Sequence, residues 1–449
     1  MKATAVMLIS LLACATLAAQ TLENPPPEAA GRQVITELVA GQFDKVEAMY
    51  NAQMAAALPP GRIAAVWSGL IQQTGPFDSI TEATTTKAQG LDVVVFTCKF
   101  KNASLDALIA FEPGGKIAGL LFRPHAAPVA AVAVPPYARP DSFVEQPLAL
   151  VNGRFELPGT LAMPKGDGPF PAVILVHGSG PNDADETVGA GKPFRDMAWG
   201  LASRGVAVYR YTKRTLKYGA QFSDDPAKVT VDDETVSDAR AAVALVAKQP
   251  KIDPARVFLV GHSLGAYLAP RIATGDAQIA GIVMMAANTR PIEQLAVEQI
   301  RYIVSSSGMP EEEAQKQISA VQEEASKIES PNLKPGDSTT LLGAPVPASY
   351  WLDLRTYHPA DVAASLKIPI LILQGGRDYQ VVPASLEEWR KGLAGHQNVT
   401  FKLYPALNHL FIAGTGPSLP QEYTKPGNVA EEVVTDISAW ISAGRRPAN

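Results

Sequence analysis

Short, continuous apolar runs recur along the second half of the chain, separated by longer stretches of mixed polarity. Apart from Arg210 and Gln374 the positions in these runs are apolar, so both faces of the strands they would form must be covered. That pattern is typical of interior parallel strands rather than of a sheet with one face in water. The runs lie at residues 171–176, 206–211, 257–260, 281–287 and 369–374.

The stretches between these runs have helical periodicity. Residues 194–203 and 231–248 repeat apolar side chains at intervals of three and four, as helices covering one face of a sheet do. Residues 142–150 and 155–163 instead fit an antiparallel hairpin at the sheet edge, and residues 429–441 fit a closing helix. The alternation of strands and helices predicts a doubly wound, mostly parallel α/β sheet.

This predicted α/β domain spans residues 142–449, and its alternation is interrupted from about residue 289 to residue 358. The interrupting segment is charged and helical in character. It stands between the apolar run that ends near Ala287 and the one that starts at Pro369. We expect it to form a helical lid over one edge of the sheet.

A separate unit precedes the α/β domain. Residues 25–124 show helical stretches followed by strands, which predicts a small α+β domain; a cone-like nuclear-transport-factor shape is one form it could take. Residues 125–141 are rich in Ala, Val and Pro, a composition typical of a semi-stiff linker. Four phenylalanines are expected in the core of the small domain, namely Phe96, Phe100, Phe111 and Phe122.

The N-terminus has the pattern of an export signal. Lys2 precedes an apolar stretch too short to cross a bilayer, and small residues follow up to Ala19. We expect a signal peptide over residues 1–19 and a periplasmic or secreted protein. The alternative is a lipid anchor at Cys14, because the residues before it loosely resemble a lipoprotein cleavage box.

Composition and charge exclude several classes of function. The chain of 449 residues is long enough for two domains, and its net charge of −5 gives no reason to expect nucleic acid as a partner. Its two cysteines and six histidines form no metal-binding motif. We therefore expect neither a metal nor a cofactor, and no transmembrane span.

The pentapeptide Gly-His-Ser-Leu-Gly at residues 261–265 is the motif with the most specific chemistry. It follows an apolar strand and precedes a helical stretch, which is the setting of a nucleophile elbow. Ser263 would stand on the sharp turn, and the backbone N–H of Leu264 would face an oxyanion at the helix N-terminus.

A serine nucleophile needs a base and a group that orients it. Among the six histidines, His409 follows the apolar strand 399–404 in a loop near the C-terminus. Asp378 is the first carboxylate after the run 369–374 and gives the chain order Ser, Asp, His. Two alternatives for the acid, Asp353 and Asp361, precede that strand.

A second oxyanion donor is expected after the run 171–176, where the chain continues His-Gly-Ser-Gly-Pro. Small residues there allow the main chain to approach a substrate carbonyl closely. Ser179 is the first candidate donor and Gly180 the second. In the predicted lid, the side chains expected to choose the substrate are Tyr350, Trp351, Leu354 and Tyr357, although they could equally serve only to fasten the lid.

These motifs resemble the α/β-hydrolase superfamily, in its branch of serine esterases and S33-like aminopeptidases. Residues 177–187, 192–196 and 209–214 are similar to a subgroup of exported bacterial esterases that often carry an extra N-terminal domain. The resemblance covers the chain from about Ser142 onward. It departs at Thr212, where that subgroup often has Asp.

The resemblance implies hydrolysis of a small-molecule carboxylic ester or thioester by a Ser263–His409–Asp378 triad, with no cofactor. Two alternatives share the same triad, namely an aminopeptidase-like peptidase and an acyltransferase. A third alternative is a non-catalytic binding protein of the cell envelope.

Overall fold

A computed structural model of the protein describes residues 25–88, 90–125 and 133–443. The chain divides into two compact units, with the boundary between residues 128 and 129. The predicted signal peptide and the alternative lipid anchor at Cys14 lie outside the described residues. None of the helices in the described ranges is long and apolar enough to cross a membrane.

The first unit packs helices against an antiparallel sheet. Its helices are α1 (Pro27–Val39), α2 (Phe43–Glu47), α3 (Ala52–Ala57) and α4 (Arg62–Thr74). Its strands are β1 (Phe77–Ala88), β2 (Leu91–Phe100), β3 (Ser104–Phe111) and β4 (Ile117–Pro124), in the sheet order β1-β2-β3-β4. Phe96, Phe100 and Phe111 are buried in its core, and Phe122 is packed against that core.

The sequence pattern predicted fewer helices and strands in this unit than the structure contains. It indicated the later strands but neither α4 nor β1, because β1 is rich in Thr and charged residues and lacks an apolar run. Thr is β-branched and suits a strand that pairs along one edge only, as β1 does with β2. Its polar side chains are consistent with an edge position, where a strand needs less apolar surface.

The second unit is built on one large, mostly parallel sheet. Within the described residues the sheet has the order β16-β15-β12-β11-β9-β10-β8-β5, and only the last two strands run antiparallel to their neighbours. The strands of this unit are β5 (Phe143–Pro147), β6 (Leu150–Asn152), β7 (Phe155–Leu157), β8 (Gly159–Pro164), β9 (Phe170–Val176), β10 (Ala207–Tyr211), β11 (Ile252–His262), β12 (Ile279–Met285), β13 (Ser338–Leu341), β14 (Ala344–Pro347), β15 (Ile370–Gly375) and β16 (Val399–Tyr404). The predicted doubly wound sheet is confirmed.

Helices cover both faces of this sheet. Helices α5 and α14 contribute to one apolar core, whereas α7, α8, α12 and α13 contribute to the core on the opposite face. The helices of the unit are α5 (Pro193–Ala202), α6 (Arg214–Tyr218), α7 (Ser237–Val246), α8 (Leu264–Ala273), α9 (Ile292–Ser307), α10 (Glu311–Glu329), α11 (Ala348–Arg355), α12 (Pro359–Ser365), α13 (Ala384–Gly392) and α14 (Glu431–Ala443). A π-helical turn, Asp232–Val236, leads directly into α7.

The strand order determines where a ligand can bind. From β9 the chain passes to β10 on one side and then crosses to β11 on the other, so the winding direction reverses at β9. In open α/β sheets, ligands bind outside the carboxyl ends of the strands at such a reversal. The loops after β9 and β11 therefore border the expected site, and they contain Ser179 and Ser263.

The segment between β12 and β15 contains α9, α10, α11, α12 and the small antiparallel hairpin β13–β14. The sequence pattern indicated its helical character but not the hairpin at residues 338–347. Its four-residue strands are short, and prolines at two positions of β14 weaken a strand pattern.

Candidate active site

Ser263 stands at a strained turn between β11 and α8. Its backbone has φ 52° and ψ −115°, a conformation that a residue with a side chain rarely adopts. The turn is held because the Ser263 N–H donates to the carbonyl of Met285 at 2.9 Å and its own carbonyl accepts from the Tyr267 N–H at 2.8 Å. Backbone strain of this kind persists only where the surrounding structure holds the residue in one conformation, as these two hydrogen bonds do for Ser263.

The two glycines of the pentapeptide are required by close backbone contacts. A Cβ atom at Gly265 would lie 2.2 Å from the carbonyl oxygen of Val176, and one at Gly261 would lie 2.3 Å from the carbonyl oxygen of Gly265. Both distances are far shorter than any real van der Waals contact. Helix α8 can therefore begin directly against β9 only because these two positions lack side chains.

His409 and Asp378 meet beyond the ends of β16 and β15. The Nδ1 atom of His409 lies 2.8 Å from Oδ2 of Asp378, and both side chains are buried. Oδ1 of Asp378 accepts from the N–H groups of Gln380 and Val381 at 2.8 and 2.9 Å. An ionised carboxylate accepts only, so this geometry assigns the Nδ1 proton to His409 and leaves its Nε2 atom as a base.

Ser263 and His409 line the same cavity. The Ser263 hydroxyl makes no hydrogen bond with the part of the chain that the structure describes, so the contact between hydroxyl and imidazole is not formed. Catalytic hydrogen bonds are often loose before a substrate binds.

The three candidate oxyanion residues also line this cavity: Leu264, Ser179 and Gly180. Within residues 133–443, none of their backbone N–H groups has a hydrogen-bond acceptor. Leu264 is the first residue of α8, where the helix dipole favours negative charge. Free N–H groups beside a serine are the arrangement that stabilises an oxyanion.

The cavity has a volume of about 740 Å³ and a mostly apolar lining. A volume of this size is in the range of sites for small organic molecules. Apolar and aromatic side chains from several elements form its wall: Phe222, Val229, Tyr267, Leu295, Tyr350 and Trp351.

The four side chains expected to choose the substrate separate into two pairs. Tyr350 and Trp351, on α11, line the cavity. Leu354 and Tyr357 are buried in the core of the unit, and the Tyr357 hydroxyl donates to the carbonyl of Tyr267 at 2.8 Å. Leu354 and Tyr357 thus lie where they can hold the segment between β12 and β15 in place, which was the alternative role considered for them from the sequence.

A second histidine and a carboxylate lie next to His409, and sequence reasoning gave them no role. Nδ1 of His262 lies 2.9 Å from Oε2 of Glu186, and its Nε2–H donates to the carbonyl oxygen of His409 at 2.9 Å. Burial alone lowers the pKa of His262, but the Glu186 carboxylate outweighs burial and raises that pKa above its ordinary value. The His262 ring thus anchors the backbone of His409.

Glu186 links this pair to the loop after β9. Its Oε1 atom accepts from the Gly178 N–H at 2.6 Å. Burial alone raises the pKa of Glu186, but the neighbouring His262 charge and hydrogen bond lower it below its ordinary value. The sequence does contain a signal for Glu186, because it is an acidic residue within the motif at residues 177–187. Its position next to His262, however, is known only from the structure.

The remaining candidates for base or acid have other partners. Asp353 forms an ion pair with Arg271 at 2.9 Å, and Asp361 lies in the first turn of α12. His396 contacts the carbonyl of Leu366. In the described part of the chain, no three His, Cys, Asp or Glu side chains form a group that could hold a metal ion.

Comparison with known proteins gives two family matches. Residues 31–120 match a family described as "Protein of unknown function (DUF3887)", and residues 169–414 match a family described as "Serine aminopeptidase, S33". The second match covers more than half of the chain.

Several individual proteins are similar to this chain. Esterase EstD of Thermotoga maritima is 39% identical over 409 residues, which are 91% of this chain and 93% of that protein. Esterase FrsA of Escherichia coli is 28% identical over 171 residues, 33% of this chain and 38% of its own length. Among solved structures, Est1E from Butyrivibrio proteoclasticus aligns over 66% of this chain and 99% of its own, at 15% identity and a TM-score of 0.44.

Proposed function

This chain belongs to the serine aminopeptidase (S33) family of α/β hydrolases and hydrolyses carboxylic esters, and we propose that it does so through an acyl-enzyme intermediate on Ser263. One observation carries the proposal. A strained serine, an imidazole paired with a buried carboxylate, and backbone N–H groups without acceptors border a single cavity. Acyl transfer requires this set of groups.

In the first half of the proposed reaction, Oγ of Ser263 attacks the ester carbonyl carbon while Nε2 of His409 takes the hydroxyl proton. The negative charge that develops on the carbonyl oxygen is stabilised by the N–H groups of Leu264 and Ser179, each worth on the order of 3 kcal/mol. The alcohol then leaves with the proton from His409. Asp378 keeps the imidazole in the required tautomer throughout.

In the second half, water attacks the acyl-enzyme carbonyl carbon and gives one proton to Nε2 of His409. The tetrahedral intermediate collapses, the Ser263 oxygen leaves with the proton from His409, and the carboxylic acid is released. The balance requires only ester and water, so the reaction needs no redox partner and no second substrate.

The lining of the cavity favours esters with an apolar group. Thioesters fit the same chemistry because a thiolate leaves readily once the carbonyl has been attacked. A peptidase that recognises a free amino group needs an available carboxylate in the site. The two acidic side chains among the described lining residues, Glu186 and Glu234, each form an ion pair with a buried cation. We therefore propose esters over peptides.

A substrate panel tests this proposal. Purified protein is assayed on p-nitrophenyl esters from acetate to decanoate, on matching acyl-CoA thioesters and on aminoacyl p-nitroanilides. We expect ester turnover with a preference for medium apolar chains, and loss of it in Ser263→Ala without a change in thermal midpoint. Undiminished turnover in that variant, or anilide turnover exceeding ester turnover, would contradict the proposal.

We also propose that the protein is exported. The support is the pattern of residues 1–19, which precede the described part of the chain. Mass spectrometry of the N-terminus of protein from its native cell tests this. A mature N-terminus near residue 19 or 20 supports a cleaved signal peptide, and a lipid-modified Cys14 supports the anchored alternative. An intact Met1 would exclude both.

A further inference from the structure

The peptide bond between Gly178 and Ser179 is held at its carbonyl oxygen by two side chains, one of which is charged. The carbonyl oxygen of Gly178 accepts a hydrogen bond from Nζ of Lys213 at 3.0 Å and a second from Nδ2 of Asn182 at 3.2 Å. That oxygen and the Ser179 N–H belong to the same planar unit. Because the peptide is trans, the N–H is directed away from the oxygen that Lys213 binds.

Lys213 is an unusual residue to find at this position. Its side chain is only 2% exposed, and removing an ammonium group from water costs several kcal/mol unless it is compensated. The compensation comes from Oε1 of Glu234 at 2.6 Å. A buried charge pair of this kind is seldom more stabilising than apolar side chains of similar size. The function of the pair therefore follows from the groups that the ammonium group contacts.

We propose that Lys213 is a positioning residue for the oxyanion, and that it acts through the Gly178–Ser179 peptide. The ammonium group fixes the plane of this peptide and so keeps the Ser179 N–H directed at the cavity that Ser263 lines. A positive charge on the carbonyl side also polarises the amide, which makes the N–H a stronger donor. The inference rests on the proposed acyl-enzyme mechanism.

The pair also connects this peptide to the cavity wall. Oε2 of Glu234 accepts from the Tyr350 hydroxyl at 2.7 Å, and both residues line the cavity. On its other side, Gly178 donates its N–H to Glu186. The donor peptide is therefore held at its carbonyl oxygen by the buried Lys213, and the peptide before it is held at its N–H by the buried Glu186. Fixed donors of this kind are what preorganised electrostatic stabilisation requires.

The test compares two variants that differ only at Lys213. Glu234→Gln keeps the ammonium contact with Gly178, and the double variant Lys213→Met/Glu234→Gln removes it without leaving an unpaired carboxylate. Each is assayed with p-nitrophenyl butyrate for kcat and KM. Each is also titrated with an alkyl boronic acid, whose serine adduct carries an oxygen at the oxyanion position, and with an unreactive alkyl ether of the same length.

We expect kcat of the double variant to fall about 10²-fold below that of Glu234→Gln, as for the loss of one oxyanion donor. Boronic acid affinity should fall in parallel, whereas KM and ether affinity should change by less than about threefold because they report ground-state binding. A loss in KM with kcat retained, or unchanged boronic acid affinity, would overturn the role of Lys213.

A matched pair of buried charges serves as the structural control. Arg214 follows Lys213 in the chain and pairs with Asp238, and both are buried. Arg214→Met/Asp238→Asn should lower the thermal midpoint while kcat and boronic acid affinity stay unchanged. If this control loses activity as the Lys213 variant does, the effect is structural and the inference is wrong.

Two further measurements keep the inference testable. If the double variant does not fold, Asn182→Ala removes the longer bond to the same carbonyl oxygen, together with the Nδ2 contacts to the carbonyls of Ser179 and Gly180, from a half-buried loop position. It should lower kcat and boronic acid affinity together by about fivefold, the value of one ordinary hydrogen bond. Activity retained by Ser263→Ala would instead defeat the proposed mechanism itself, whatever Lys213 does.

Discussion

At the scale of single residues, Asp378 is the side chain whose hydrogen bonds most directly orient the imidazole of His409. One of its oxygens accepts from two backbone N–H groups, and the other contacts His409 and the amide of Gln374. An amide at this position would present an N–H where the carboxylate now accepts one, and the imidazole would take the wrong tautomer.

We therefore expect Asp378→Asn to lower kcat for ester hydrolysis by about 10⁴-fold near pH 7. Steady-state kinetics with a p-nitrophenyl ester measure the loss, and circular dichroism checks that the fold is kept. Asp353→Asn is the matched control, because Asp353 was the alternative acid in the sequence and forms an ion pair with Arg271. A loss of less than tenfold in Asp378→Asn, or equal losses in both variants, would contradict the assignment.

His177 makes a separate contribution, to the pH dependence of stability. Burial lowers the pKa of His177 to about 4, and its Nε2–H donates to the carbonyl of Asp183. In the unfolded chain the same imidazole titrates near its ordinary pKa of 6.5. Between these two values the unfolded chain binds a proton that the folded protein does not, so stability is lost as the pH falls.

We expect this histidine to steepen the decline in unfolding free energy between pH 6.5 and pH 4, by at most about 1.4 kcal/mol per pH unit. His177→Gln should flatten the decline in that window. Urea unfolding at a series of pH values measures the unfolding free energy and its slope. The same variant at pH 8, where the imidazole is neutral in both the folded and the unfolded state, provides the reference. An unchanged slope in His177→Gln would show that the imidazole titrates normally in the folded protein.

At the scale of elements, α9 forms part of the cavity wall through one face. Ile292, Leu295, Ala296 and Gln299 follow at intervals of three, one and three, and all line the cavity. Ala296 is buried and leaves space beside it that a larger side chain would occupy. Cavity volume here should therefore limit the length of the substrate rather than the chemistry of its ester bond.

Ala296→Phe should lower kcat/KM for p-nitrophenyl decanoate at least tenfold and leave that for the acetate within about threefold, since changes of cavity size discriminate by 1–3 kcal/mol, or roughly 10- to 200-fold. Ser306→Phe, on an exposed position of the same helix, provides the control and should change neither value. Equal losses on both esters in Ala296→Phe would mean that the helix acts on stability or on the triad instead of on chain length.

The elements also show what a sequence pattern can and cannot predict. Interior strands such as β9 and β15 are apolar along most of their length, so their positions follow directly from the chain. Strand β1 and the hairpin β13–β14 are polar or very short, and they depend on pairing partners that a linear pattern does not reveal. Period and polarity identify buried elements better than elements at an edge.

At the scale of the whole molecule, the parallel sheet explains why Asp378 and His409 could be chosen from sequence. Each follows a strand of the parallel part of the sheet, and parallel strands bring their carboxyl ends to one edge. The buried ion pairs next to these residues could not be predicted from the sequence in this way. Lys213, Glu234 and Glu186 pair across loops and a π-helical turn whose arrangement is determined by packing, and nothing in their spacing indicates which charge meets which.

The two units differ in how much each contributes to the proposed function. The first has its own apolar core, separate from the two cores of the second, and the described cavity lining comes from the second unit alone. The function proposed above is accordingly argued from residues 133–443. The match of residues 31–120 to a family of unknown function adds no chemistry to it.

Covalent labelling of Ser263 tests the central claim most directly. The protein is incubated with a fluorophosphonate, digested with trypsin and analysed by mass spectrometry, with substrate present in a parallel sample. We expect one adduct, on Ser263 in the peptide of residues 257–271. Substrate should slow its formation, and His409→Asn should nearly abolish it. An adduct on a different residue, or full ester hydrolysis by protein that remains unlabelled, would contradict it.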